Sequence, residues 1–170
     1  MLPPQPARPS EVRRLLPWLA VAAAVLALDQ TTKAAIQAHL APGDRIPVLP
    51  FFDLVLAFNP GAAFSFLADA SGWQRGFFIA IALGATLLIV YLLRRHAADR
   101  VFCAGLGLIL GGALGNLWDR VALGHVVDFV LVHAHGYLFP AFNVADSAIT
   151  IGAGLLILDG LRGGGAKAKA

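Results

Sequence analysis

Cysteine, charge and metal-ligand clusters are all scarce in this sequence, and each scarcity removes a class of protein. A single cysteine, Cys103, leaves no partner for an internal disulfide, so no cross-linked framework holds the fold. Lying in an apolar run, it reads as a small buried hydrophobe. Charged residues make up 14% and hydrophobic residues 58% of the 170, against about 25% and roughly 45–50% in soluble domains. That balance excludes an ordinary soluble domain and points to a membrane protein. His133 and His135 alternate, but no third ligand stands at a suitable zinc spacing. They read as turn or interface residues, and neither a metal nor another cofactor is expected. No internal repeat is present. The net charge of +3 comes from basic residues that flank apolar runs without interleaved exposed aromatics, which argues against nucleic-acid binding.

What the chain has instead is apolar length. "FFIAIALGATLLIVYLL" and "VFCAGLGLILGGALGNLW" carry no charge, and each is close to the ~17–25 residues that cross a bilayer as a helix. Two further runs are interrupted only by Asp29 and Lys33 in the first and by Asp146 and Asp159 in the last. The expected architecture is a mainly α membrane protein with four transmembrane helices, at about 15–38, 75–95, 101–119 and 140–161, in one domain spanning 15–161. Residues 1–14 (Pro-rich) and 162–170 (Gly/Ala/Lys-rich) are expected to be disordered tails. Arg8, Arg13 and Arg14 ahead of Val25-Leu26-Ala27 imitate a cleavable signal peptide; we read the segment as a retained span.

Orientation follows from charge. Arg8, Arg13, Arg14, Arg94, Arg95, Arg100, Arg162, Lys167 and Lys169 all fall on one side of such a four-span chain. Cationic loops stay in the cytoplasm, so both termini are expected to be cytoplasmic and the segments 39–74 and 121–138 to face outward. Asp29, Asp44, Asp53, Asp69, Asp119, Asp128 and Asp146 gather at or beyond that outer face. Any chemistry belongs there.

The first outer segment mixes β-favouring residues with an Asn59-Pro60-Gly61 turn signal, so short strands are expected around that turn and a helical stretch near 69–75. Phe51, Phe52, Phe58, Phe64 and Phe66 are many aromatics for a water-facing loop; they suit a membrane interface or an apolar ligand. The second outer segment reads as a strand containing Asp128 and a turn near His135-Gly136. Together they make a small extracytoplasmic β-rich region.

Within the spans, Gly107, Gly111 and Gly115 recur every four residues, aligning on one helix face where another span can approach closely; Ala148 and Gly152 offer something similar. Asp29 and Lys33 share a four-residue spacing that suits an ion pair of structural purpose, and Asn116 and Arg120 stack likewise at the outer end of span three. In "FNVADSAI", Asn143 suits a helix N-cap and Asp146 the positive end of the helix dipole. Brought face to face with Asp128, Asp146 would also form a pair that cannot comfortably ionise twice, giving an acid and a base that activate water against an amide. From the residues alone, this dyad and the plainer reading, a capping acid plus a solvated loop acid, stand level.

Four ordered stretches tip the balance. "LDQTTKAAI", "FNPGAAFSFL", "GGALGNLWDRVALGHVVDFV" and "FNVADSAITIG" resemble the boxes of the bacterial lipoprotein signal peptidases, signal peptidase II, and the resemblance covers nearly all of the chain apart from its tails. It implies an aspartyl endopeptidase that cuts a prolipoprotein immediately before a diacylglyceryl-modified cysteine, with Asp128 and Asp146 catalytic. Asn59, Gly61, Asn116, Arg120 and Asn143 are then expected to surround or position substrate. The same resemblance implies a bacterial cytoplasmic (inner) membrane location with the site at the periplasmic face, contact with membrane lipids, and inhibition by globomycin-type cyclic peptides. A proton-coupled carrier is the alternative, but such proteins often show inverted repeats and acids nearer the midplane, and neither is seen.

Overall fold

The computed structural model describes residues 11–61, 72–97 and 99–167. Its long apolar runs form α1 (Glu11–His39), α2 (Trp73–Arg95), α3 (Arg100–Ala122) and α4 (Val144–Lys167), all four long and apolar enough to cross a membrane. Helix α1 begins ahead of the expected residue 15, and α4 continues beyond 161 into the segment expected to be a tail. Residues 1–10 and 168–170 lie outside the described residues, as do Phe64, Phe66 and positions 69–71 of the expected helical stretch. From that stretch, Trp73 onward is the first turn of α2.

Helix α3 is the hub. In its apolar window 56% of residues are buried within the protein, against 11–17% for the other three helices. The cause is small residues on two faces. Towards α1, a methyl on Gly111 would lie 2.6 Å from the Ala22 carbonyl oxygen; one residue on, a methyl on Gly112 would run into the Ala145 carbonyl of α4. The Gly107/Gly111/Gly115 face therefore seats α1, and Gly105 and Gly112, which the four-residue pattern omits, seat α4 with Gly152 opposite Gly105. Such close approach lets backbones pack where lipid offers no hydrophobic drive between helices. Outward-facing Leu87, Leu88, Ile157 and Leu161 are exposed, as side chains solvated by lipid should be.

At one end of the bundle stands an antiparallel sheet in the order β1 (Arg45–Leu49), β2 (Phe52–Asn59), β3 (Val126–Ala134), β4 (Tyr137–Leu138). The first hairpin turns at Pro50-Phe51. Asn59-Pro60-Gly61 instead ends β2, because the Asn59 side chain accepts the Gly61 N–H at 3.0 Å and closes a local turn of its own. The second hairpin turns at His135-Gly136 as expected, both with left-handed φ (50° and 84°), which suits the twist of a two-residue hairpin. Leu40, Leu56 and Val127, with Ile36, pack the sheet onto the end of α1. Arg75 of α2 donates to the Arg120 and Val121 carbonyls at 2.8 and 2.9 Å, satisfying acceptors that the end of α3 leaves open.

Candidate active site

Asn143 organises the junction of β3 and α4. It precedes α4, accepting the Asp146 N–H at 2.9 Å through Oδ1, while its own N–H donates to Asp146 Oδ2 at 3.3 Å. This reciprocal pair is a capping box built from Asn and Asp. The Asn143 amide then turns the other way: Nδ2 donates to Asp128 Oδ1 at 2.8 Å and to the Val127 carbonyl at 3.2 Å. One fully buried residue thus ties the two acids together, its side chain holding the Asp128 carboxylate and the Asp146 N–H, its backbone N–H the Asp146 carboxylate. Val130 pairs with Phe142 across the same gap, so the chain returning from β4 runs beside β3 until it enters α4.

Two more amides complete the setting. Asn59, at the end of β2 and two register steps from the Ala57–Asp128 pair, donates to Asp128 Oδ2 at 3.1 Å. Asn116 of α3 donates to Asp146 Oδ1 at 2.7 Å. Asp128 is 3% exposed, whereas Asp146 is half-buried and lines a cavity of about 560 Å³ together with Asn59, Asn116 and Arg120. The remaining walls are largely apolar, including Phe139, Phe142, Ile149 and Ile151. Burial, and then the neighbouring Asp146 charge, push the Asp128 carboxyl up to about 7, against the opposing pull of the Asn59 and Asn143 donors and of Lys33.

Arg120 crosses the mouth of the site. Its Nη2 donates to the Gly61 carbonyl at 2.8 Å and its Nη1 to the Asn116 carbonyl at 3.3 Å. The guanidinium lies over the Phe78 ring, 5.0 Å from its centroid. Its buried Nε–H has no hydrogen-bond partner, and the bonds to Gly61 and Asn116 use only two of the five N–H donors of the guanidinium.

Beneath the aspartates lies a charged layer that the sequence showed only in part. The expected Asp29–Lys33 pair is present at 2.8 Å, but Lys33 also reaches Asp119 at 2.8 Å and the Asn116 Oδ1 at 3.1 Å. Asp119 and Gln30 were not singled out as site residues. Gln30 donates to Asp119 at 2.9 Å and to Asp29 at 3.2 Å, and Asp119 accepts the Val127 N–H at 3.1 Å. Asp29 in turn accepts the Ala145 N–H at 2.9 Å, occupying an open donor in the first turn of α4. The available signal was that Asp119 lies one turn from Asn116, beside Arg120, at the end of an otherwise apolar span. The network links α1, α3 and α4 to both aspartates: Lys33 holds Asn116, Asn116 holds Asp146, and Asn143, which donates to Asn116 Oδ1 at 3.2 Å, holds Asp128.

His133 lies apart from this layer, 3.2 Å from Asp53, a buried β2 carboxylate also bound by Arg45. Burial opposes the Asp53 charge, but the Arg45 and His133 donors outweigh it and hold the carboxyl below its usual range. His135 is in the hairpin turn. Among the described residues no three His, Cys, Asp or Glu side chains are grouped to hold a metal ion. Cys103 is fully buried in the bundle core, donating to the His96 carbonyl at 3.0 Å.

Comparison with known proteins agrees along the chain. The signal peptidase (SPase) II family profile matches residues 21–162. A lipoprotein signal peptidase from Ralstonia nicotianae is 57% identical over 146 residues, covering 86% of this chain and 84% of its own. One from Janthinobacterium sp. (strain Marseille) is 55% identical over 148 residues, covering 87% and 90%. A solved structure described as a bacterial membrane enzyme superposes with a TM-score of 0.78 at 36% identity, over 85% of this chain and 87% of that one.

Proposed function

Because the chain belongs to the signal peptidase II family, aspartic peptidases that remove signal peptides from prolipoproteins, we propose that Asp128 and Asp146 are its catalytic pair. The observation that carries this reading is Asn143, whose one side chain bonds both carboxylate-bearing segments, behind the largely apolar cavity that Asp146 lines. With its carboxyl raised to about 7, Asp128 holds the shared proton at neutral pH, and Asp146, facing the cavity, serves as base. Asp146 takes a proton from water as the water oxygen bonds the scissile carbonyl carbon, and Asp128 gives its proton to the carbonyl oxygen. Collapse of the tetrahedral intermediate breaks the C–N bond: Asp146 passes the proton it took from water to the departing amine, and Asp128 regains a proton from a hydroxyl of the intermediate as the new carboxyl forms. Asn59, Asn116 and Asn143 hold the carboxylates in place; Gly61 and Arg120 border the substrate channel.

This assignment makes turnover bell-shaped in pH, with the two limbs belonging to the pair as a unit. The alkaline limb is expected to fall as pH rises through about 7, where Asp128 loses its proton. A pH–rate profile flat from neutral to alkaline conditions would contradict Asp128 as the acid. The same raised value makes its contribution to stability fully present below the ordinary carboxylate range and lost as pH rises through about 7.

The apolar cavity walls favour a substrate whose cysteine carries diacylglycerol, cut immediately before that residue. The cavity also suits globomycin-type cyclic peptides, and we place both termini in the cytoplasm and the sheet at the periplasmic face of the inner membrane. A precursor lacking the diacylglyceryl group is expected to be cleaved with kcat/KM at least about tenfold lower, since burying two methylenes alone supplies that factor. Equal cleavage of the two precursors, followed by product mass, would remove the lipid from the reading.

A further inference from the structure

At the end of the bundle away from the sheet, α1 and the α2–α3 turn border a second cavity of about 360 Å³, lined by Arg13, Arg14, Pro17, Trp18, Ala97 and Arg100. Three arginines thus line it, and among the described residues none of the three makes an ion pair or side-chain hydrogen bond. Three charged groups beside it are engaged elsewhere. Arg95 lies over the Tyr91 ring, Arg94 has a partner of its own, and Asp99, next to Arg100, caps α3 by accepting the Phe102 N–H at 3.3 Å. Trp18 adds an independent observation: its indole N–H is buried with no hydrogen-bond partner, a state that normally calls for an acceptor.

Three planar cations and an N–H donor, with no acceptor among them, are complementary to an anion rich in oxygens. Basic pockets between spanning helices are where anionic lipid headgroups bind, and tryptophan favours headgroup depth. Leu16 and Leu19, flanking Pro17 and Trp18 on α1, are exposed and offer an apolar track for an acyl chain beside the cationic mouth. A free phosphate has no use for that track. We propose that this cavity binds the phosphodiester headgroup of an anionic phospholipid, at the end of the bundle opposite the aspartates.

Native mass spectrometry of the full-length detergent-solubilised protein tests this with phosphatidylglycerol, phosphatidylcholine and inorganic phosphate as probes. Wild type is expected to retain one phosphatidylglycerol in preference to phosphatidylcholine. Arg14→Gln and Arg100→Gln should each weaken retention about fivefold, as expected per arginine near an anionic lipid, and Trp18→Phe should weaken it while keeping the ring. Arg94→Gln/Arg95→Gln, which removes two charges from the same end where each test variant removes one, should leave retention unchanged. All four variants should cleave prolipoprotein like wild type, showing that they fold. Equal retention of both lipids, equal weakening by Arg94→Gln/Arg95→Gln, or displacement of phosphatidylglycerol by an equal concentration of inorganic phosphate would overturn the proposal.

Discussion

Purified protein carrying Asp128→Asn or Asp146→Asn is expected to release signal peptide about 10²–10⁴-fold more slowly than wild type, the range over which positioned acid–base groups act, while remaining folded. The structure explains why folding should survive. An asparagine at 128 can still accept one of the two amide donors, from Asn59 or Asn143, that the carboxylate accepts now. An asparagine at 146 can keep a single oxygen for Asn116 or for the Asn143 N–H, and its own backbone N–H still bonds Asn143 Oδ1. Each change forfeits a hydrogen bond worth about 0.5–1.5 kcal/mol net and removes the titrating group entirely. Cleavage of a diacylglyceryl-modified precursor, followed by product mass, should therefore collapse while far-UV circular dichroism and the melting midpoint stay near wild type. Turnover close to normal in either variant would sink the catalytic assignment, and loss of the fold with no soluble folded fraction would return both residues to a structural role.

Lys33→Met should have the largest effect on stability. Lys33 is the cation between Asp29 and Asp119, with all three side chains 2% exposed or less. Gln30 bonds both carboxylates but brings no charge. Removing the cation leaves two buried acids facing each other, and breaking a buried pair in this way typically costs about 3–5 kcal/mol. The loss should be non-additive: Asp119→Asn in the Lys33→Met background should restore part of the stability that it removes in wild type, because it then deletes an uncompensated charge. Thermal unfolding in detergent of the single and double variants gives the cycle directly. Turnover of the Lys33→Met protein that does fold should also drop, since Asn116 Oδ1 keeps only the Asn143 amide of the two donors that orient its own amide towards Asp146. A melting midpoint unchanged by Lys33→Met would show that the three charges do not depend on one another.

The parts of this protein that were legible in its sequence are those governed by local chemistry and by length. Four long apolar runs, two without a charge and two broken only by a pair of charges each, have few outcomes other than spanning helices, because a backbone in lipid must satisfy its own hydrogen bonds. Asn143 and Asp146, three residues apart ahead of an apolar run, carry a helix start within a few atoms of themselves, and His135-Gly136 carries its hairpin turn in the same way. The Asp29–Lys33 pair was visible because both partners lie on one helix, a turn apart. Motif order, more than any single residue, pointed to the peptidase family.

Other features depended on which segments meet. Asn59-Pro60-Gly61 has the composition of a hairpin turn, yet Pro50-Phe51 makes the turn and Asn59 serves Asp128, because the position of β2 beside β3 decides which residues face the carboxylate. Gly105 and Gly112 fall outside the four-residue glycine pattern, and only the approach of α4 to the face of α3 opposite α1 gives them a purpose. Asp119 and Gln30 looked like isolated polar residues at the ends of apolar runs. They became a network when α1 and α3 brought Lys33 between two acids, an interaction between positions far apart in the chain. Sequence by itself determined the spans, the helix start at Asn143 and the family, since each is encoded in contiguous residues. The packing of three helices and a sheet decided that Asp128 and Asp146 are both bonded to Asn143, and that burial beside a second carboxylate raises the Asp128 carboxyl to about 7, because desolvation and charge proximity are properties of assembled space.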